Sequence, residues 1–240
     1  MTYRAALTKV SKLTATLTRE AATASFADMR LRPETLQALA QMGIDTPTPI
    51  QAQAIPALIE GRDIIGQART GSGKTLAFGI PAIEAIDPKQ RVVQVLVLVP
   101  TRELAVQVGS VLDAVGGSRR IQSALIFGGR AMGPQVDALR RGVHVVVGTP
   151  GRVLDLLKQR ALNLSNVRVL VLDEADEMLD RGFAPDVERI LAHTPKERQT
   201  ALFSATVPEW IAETSRKHLR NPVHASVDPR PEDSAPIEHV

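Results

Sequence analysis

Lys74 and Thr75 end the run Ala68-Arg69-Thr70-Gly71-Ser72-Gly73-Lys74-Thr75, whose residue types suit the holding of a polyphosphate. Gly71 and Gly73 let the backbone turn its N–H groups toward phosphate oxygens. A helix beginning at Lys74 would add the positive end of its dipole. The Lys74 ammonium can reach β- and γ-phosphates, and the Thr75 hydroxyl can ligate Mg²⁺. Ala68 stands where the general pattern has glycine, and the physics of the loop survives that change. A second constellation lies a hundred residues on. Arg168–Leu172 (RVLVL) runs directly into Asp173-Glu174-Ala175-Asp176. Carboxylates at the C-terminal end of a buried parallel strand sit where a doubly wound sheet binds its ligands. Asp173 is suited to hold Mg²⁺ through water, and Glu174 to orient and deprotonate an attacking water. Taken alone, the acids could equally cap the next helix. With Lys74 and Thr75 on another strand end, phosphoryl chemistry is the better reading.

These residues need a scaffold, and the rhythm of the chain supplies one. Apolar, β-branched runs occur at Asp63–Gln67, Val92–Val99, Gln122–Phe127, Val143–Val147, Val167–Leu172, Thr200–Phe203 and Val223–Val227. Helical patterns lie between most of them, for example at Pro33–Met42, Lys74–Ile86, Arg102–Val115, Gly133–Arg140, Arg152–Gln159 and Pro208–Leu219. Apolar runs without alternation read as strands buried on both faces. Strands alternating with helices imply right-handed crossovers and a mainly parallel sheet covered by helices on both faces.

Composition narrows the chemistry. Of 240 residues, 44% are apolar and 23% charged, as in ordinary soluble globular chains. The cysteine count is zero, which removes disulfides and thiolate chemistry. The five histidines have no partners at zinc-ligand spacing, so no metal site of that kind is expected. The net charge of +3 is too small to decide a partner. Seven aromatic residues are too few and too dispersed for a base-stacking platform, so any nucleic acid is gripped by its backbone. No run is long and apolar enough to span a membrane. Residues 1–25 carry Arg4, Lys9, Lys12 and Arg19 against one acid, Glu20, with apolar positions at helical spacing. Two readings are open: an organelle transit peptide, or a helical extension of a cytoplasmic protein, the favoured one. Asp228–Ala235 (DPRPEDSA) reads as a linker, and residues 228–240 as the approach to a further domain.

Asp173-Glu174-Ala175-Asp176 also spells the name of the DEAD-box RNA helicases, and six further segments resemble motifs of that family in its order. Gly43-Ile44-Asp45-Thr46-Pro47-Thr48-Pro49-Ile50-Gln51 resembles the Q motif, with Phe26 placed 17 residues upstream of Gly43. Ala68–Thr75 resembles the phosphate loop, alanine included. Pro100-Thr101-Arg102-Glu103-Leu104-Ala105 resembles motif Ia, Gly128-Gly129 and Thr149-Pro150-Gly151-Arg152 the RNA-backbone motifs, and Ser204-Ala205-Thr206 motif III. The likeness covers residues 26–227, has a bacterial flavour, and is far more specific as an ordered set than any one motif.

The resemblance implies a RecA-like fold in which the strand near Thr200–Phe203 lies between the strand entering the phosphate loop and the strand entering Asp173. It also implies the cofactors ATP and Mg²⁺, and a sequence-independent RNA partner. It implies that Gln51 reads adenine, Phe26 stacks on the base, and Thr46 lines the pocket through its backbone. Thr70, Gly71, Ser72, Gly73, Lys74 and Thr75 would hold the phosphates, with Thr75 and Asp173 at the metal. Lys74, Asp173 and Glu174 would be catalytic. Asp176, Ser204 and Thr206 would couple nucleotide state to domain closure. Thr101, Arg102, Gly128, Gly129, Thr149, Pro150, Gly151 and Arg152 would hold single-stranded RNA, and the helix from Arg152 would force a bend that a duplex cannot follow. The family's second RecA-like domain has no counterpart segments here, so the sequence reads as a fragment able to bind nucleotide but not to unwind. Two other readings stay open: an ATP-gated RNA clamp, disfavoured by the intact Glu174, and a DNA translocase, disfavoured by the Q motif.

Overall fold

All seven apolar runs become strands in the computed structural model, which describes residues 25–227. They are β1 (Ile64–Gln67), β2 (Val95–Leu98), β3 (Ser123–Ile126), β4 (Val145–Gly148), β5 (Val169–Leu172), β6 (Gln199–Ser204) and β7 (Val223–Ser226). The helices are α1 (Pro33–Gln41), α2 (Pro49–Ile59), α3 (Lys74–Glu84), α4 (Arg102–Gly116), α5 (Met132–Arg140), α6 (Pro150–Lys158), α7 (Ala175–Asp180), α8 (Ala184–Leu191) and α9 (Glu209–His218). The expected N-terminal extension, apart from Ser25, and the expected linker at 228–240 lie outside the described residues.

The strands form one sheet in the order β3-β4-β2-β5-β6-β1-β7. Every pairing is parallel, where the sequence had suggested a mainly parallel sheet. Period-two alternation sends Val95, Val97, Val169, Val171, Ala201 and Phe203 to one core. Leu96, Leu98, Leu170, Leu172 and Leu202 go to the other. Helices α1–α4 pack on the first face through residues such as Leu39, Ile55, Phe78 and Val108. Helices α6–α9 pack on the second through Val153, Met178, Val187 and Ile211. Both faces are covered, which is why the strands read as unbroken apolar runs.

Two glycines permit close approaches. A Cβ on Gly66 of β1 would lie 2.4 Å from the Phe203 ring, which packs against Phe78 at 5.5 Å between centroids. A Cβ on Gly148 at the end of β4 would lie 2.5 Å from the Ile126 carbonyl oxygen.

β6 lies between β1 and β5, with Ala201 paired to Ile64 on one side and Val171 on the other. The inserted strand separates the phosphate loop from the acidic cluster by one strand width, about 4.8 Å on each side. Helices α2, α7 and α8 lie outside the helical patterns given as examples, and α8 carries Pro185 in its first turn, where proline is tolerated. Helix α6 begins two residues before the expected Arg152, at Pro150, with Thr149 in the N-cap position.

Candidate nucleotide and RNA site

The C-terminal ends of β1, β6 and β5 bring together the first group of expected residues. The loop after β1 turns through Gly71 (φ 84°) and Gly73 (φ 92°), backbone conformations that β-carbons disfavour. Gly73 is the N-cap of α3, so Lys74 and Thr75 stand in that helix's first turn. Lys74 is buried, yet its Nζ has no hydrogen-bond partner. Ser72 Oγ is likewise buried and unpartnered, while Thr48 Oγ1 beside the loop faces the Gln51 backbone N–H in a capping box. Buried polar atoms without partners cost about 1–3 kcal/mol each, and a buried ammonium costs more. Their concentration here fits a site completed by an oxyanion ligand, and the donor set fits a nucleotide's phosphates.

Asp173 caps β5 and is 2% exposed. Burial pushes its carboxyl up to about 7, with the negative charges of Glu174 and Asp176 adding and Lys74 opposing. An unneutralised buried carboxylate of this kind suits a divalent cation, whose charge would restore ionisation. Thr75 and Asp173 therefore fit the expected metal role in chemistry. Glu174 adopts a left-handed conformation (φ 52°), which residues with a β-carbon rarely take. Its carboxylate accepts a hydrogen bond from Thr70 Oγ1 at 3.1 Å, which ties the acidic cluster to the phosphate loop. Burial, and next a hydrogen bond with Glu177, raise the Glu174 carboxyl above its ordinary value.

Asp176 Oδ2 accepts from the Thr206 backbone N–H at 2.9 Å and from Thr206 Oγ1 at 3.0 Å. The Asp176 N–H donates to Ser204 Oγ at 3.3 Å. Burial opposes ionisation of Asp176, but hydrogen bonds from Ser204 and Thr206 outweigh it and lower the carboxyl. The expected contact between motif III and the acidic cluster is thus present.

The Q-motif residues sit differently from the simplest expectation. Gln51 is 2% exposed at N3 of α2. Its Oε1 accepts from the Thr48 N–H at 2.9 Å, and its Nε2 donates to the Gly73 carbonyl at 3.0 Å. One lone pair and one N–H are left over for a base, so Gln51 first of all braces the phosphate loop. Phe26, in a 3₁₀ turn over Phe26–Met29, is 4% exposed and belongs to the core, leaving little ring surface for stacking. Thr46 is exposed in the loop ahead of α2. Thr48 was not singled out in the sequence, although a threonine three residues before a glutamine at a helix start is a capping signal.

The second group lies on the neighbouring strand ends β2, β4 and β3. Thr101 is the N-cap of α4, its Oγ1 accepting from the Leu104 N–H at 3.1 Å. Thr149 occupies the N-cap of α6 without a side-chain bond, with Pro150 at N1. Gly128 and Gly129 are exposed, and Gly129 (φ 77°) leaves room beside it for the Arg102 guanidinium, 3.4 Å from where a Cβ would stand. Arg152 Nη1 donates to the Arg130 carbonyl at 3.2 Å, and Gly151 opens the turn beside it. Arg130, not singled out in the sequence, lies 5.5 Å over the Phe127 ring. Three arginines and several free helix N–H groups thus line one row at the top of the sheet, a surface suited to phosphates.

No helix among the described residues is long and apolar enough to cross a membrane. Among curated proteins, the chain is 46% identical over 205 residues to the DEAD-box ATP-dependent RNA helicase CshA of Bacillus licheniformis, covering 85% of this chain and 42% of that protein. It is 52% identical over 203 residues to the ATP-dependent RNA helicase DeaD of Mycobacterium tuberculosis, covering 84% of this chain and 36% of that protein. The chain therefore spans about two fifths or less of the curated relatives it matches. A crystal structure of a DEAD box protein from Methanococcus jannaschii superposes with a TM-score of 0.82 at 40% identity, covering 85% of this chain and 56% of that one. Its likeness extends to the RecA-like fold. The DEAD/DEAH box helicase model matches residues 48–214, more than half of the sequence, and the chain belongs to that family.

Proposed function

We propose that this chain is the nucleotide-binding half of an ATP-dependent RNA helicase, working in the cytoplasm with a second RecA-like domain. The observation that carries the reading is the buried, unpartnered Lys74 Nζ facing a buried Asp173 carboxyl at the junction of β1, β6 and β5. The bound ATP and Mg²⁺ would supply the phosphoanhydride and the charge that neutralises it. Lys74 would hold the β- and γ-phosphates, while the N–H groups from Thr70 to Gly73 would cradle them. Thr75 and Asp173 would hold the cation. Glu174, kept in place by Thr70, would accept the proton of the attacking water, and its raised carboxyl makes it a stronger base than an ordinary glutamate. Gln51 would set the loop for adenine nucleotides through Gly73 and offer its remaining donor and acceptor to the base.

RNA would lie across Thr101, Arg102, Gly128, Gly129 and Thr149–Arg152, with Arg130 added to that row. Contacts of this kind position a backbone without reading sequence. Asp176, Ser204 and Thr206, hydrogen-bonded to one another at the ends of β5 and β6, would carry nucleotide state toward domain closure.

The test is phosphate release by this chain with and without single-stranded RNA, alone and with a second RecA-like domain restored. An arginine from elsewhere is worth roughly 10³–10⁵ in such reactions. Near-background turnover alone, RNA stimulation on reconstitution, and loss in Glu174→Gln are expected. RNA-stimulated turnover by the chain alone would contradict the proposed division of labour. An activity indifferent to Glu174→Gln would remove its role as base.

A further inference from the structure

The opposite end of the sheet carries a second set of basic groups that the nucleotide and RNA readings leave unused. Arg168 and Arg198 immediately precede the neighbouring parallel strands β5 and β6, so both stand at the N-terminal strand ends. Five residues of extended chain separate Arg168 from Asp173, about 16 Å. Here Ser165, Asn166, Val167, Arg168, Pro195, Glu197 and Arg198 line a cleft of 290 Å³.

Arg198 is 6% exposed, and its Nε is buried with no acceptor. Its one side-chain hydrogen bond among the described residues runs from Nη1 to the Pro195 carbonyl at 2.8 Å. The Nε edge, which arginine uses for bidentate oxyanion recognition, is therefore unsatisfied. The obvious internal partner is already engaged. Asp63 accepts from the Thr200 N–H at 2.8 Å through Oδ1 and from the Arg220 N–H at 2.6 Å through Oδ2. Arg220 adds a further positive charge close by, with Nη2 on the Glu197 and Arg198 carbonyls. The Glu197 side chain at the rim is exposed and forms no ion pair among the described residues. Asp87 lies within electrostatic reach of Arg168 and already accepts from the Lys89 N–H and from Gln90 Nε2. Burial holds Arg198 below the usual arginine value, Asp63 opposes this, and Arg220 reinforces it.

We propose that the cleft between Arg168 and Arg198 binds a small free oxyanion of the phosphate class, phosphate or pyrophosphate. The anion would accept from the unsatisfied edge of Arg198 and from the Arg168 guanidinium, with Asn166 and Ser165 as neutral donors. At 290 Å³ the cleft stands at the lower edge of ordinary ligand pockets of about 300–1,000 Å³, which suits a small anion. It also opens on the face away from the RNA row.

The test is a titration of the ¹⁵N-labelled chain with inorganic pyrophosphate, in magnesium-free buffer with ADP saturating the phosphate loop. Saturable shifts of the Asn166, Arg168 and Arg198 amides are expected, and inorganic phosphate should compete. Arg168→Gln alters an exposed side chain and should weaken binding about tenfold, the loss of one charge-assisted contact. Arg198→Lys should weaken it at least as much, and Arg168→Gln decides alone if that variant does not fold. Shifts confined to residues 68–75, shifts that never saturate, or a response only to a 5′-phosphorylated oligonucleotide would each overturn the proposal.

Discussion

Asp173→Asn should make the nucleotide-free protein more stable at pH 8, although it removes a residue of the proposed metal site. The wild-type carboxyl moves from an ordinary 3.8 to about 7 on folding, chiefly through burial. A raised folded value means stability that is fully present below about pH 4 and lost as pH rises through about 7. At 1.36 kcal/mol for each pH unit of that interval, the penalty at pH 8 approaches about 4 kcal/mol. Asparagine keeps the shape and removes the charge. The attraction of Lys74 is already contained in the value of about 7, and the amide's imperfect fit in place of a protonated carboxyl takes back part of the gain. A net gain of about 1–3 kcal/mol at pH 8 is the expected outcome, shrinking toward zero near pH 4. Urea denaturation of both proteins at pH 4.5 and 8, with EDTA and no nucleotide, measures the difference directly. Taking the difference cancels groups common to both proteins, such as Asp176 and Glu188, whose lowered carboxyls act in the opposite direction. A variant that is equally stable or less stable at pH 8 would refute the reasoning. It would mean that the Asp173–Lys74 pair already compensates the burial of both groups.

Gln51→Ala removes two hydrogen bonds from a buried amide and should cost about 1–3 kcal/mol of stability, with weaker ADP binding from the loosened Gly73. Urea denaturation and calorimetry separate the two losses, and unchanged stability would mean that the brace is dispensable. Gly148→Ala places a methyl 2.5 Å from a backbone oxygen that cannot rotate away, and should lower stability by about 1–3 kcal/mol or more. A thermal melt within a degree of wild type would show that the end of β4 yields.

Much of the site was legible because its residues sit at strand ends, where local patterns mark both the strand and the turn beyond it. The run Arg168–Leu172 ends at Asp173 whatever the order of the sheet. The expectation that β6 lies between β1 and β5 came from the family resemblance, since no local feature of Thr200–Phe203 encodes its neighbours. The pairing of Ala201 with both Ile64 and Val171 bears it out. Gln51 was harder. Its chemistry matches adenine, but the same donors and acceptor also match the backbone of Thr48 and Gly73, and only three dimensions bring Gly73 within 3.0 Å. The resemblance assigns Phe26 to stacking on the base, and no sequence pattern around it encodes that its ring lies buried in the core. Arg198 gave no signal at all, because burial of a charged residue depends on which loops cover it.

The central claim is that the unpartnered Lys74 ammonium and its loop form an adenine-nucleotide phosphate site braced by Gln51. Calorimetric titration of the chain with ADP and with GDP, in wild type and in Lys74→Ala, tests it most directly. The expected result is measurable ADP binding, GDP binding at least about tenfold weaker, and ADP binding reduced beyond detection in Lys74→Ala. Equal affinity for the two nucleotides, or ADP binding indifferent to Lys74, would contradict the account.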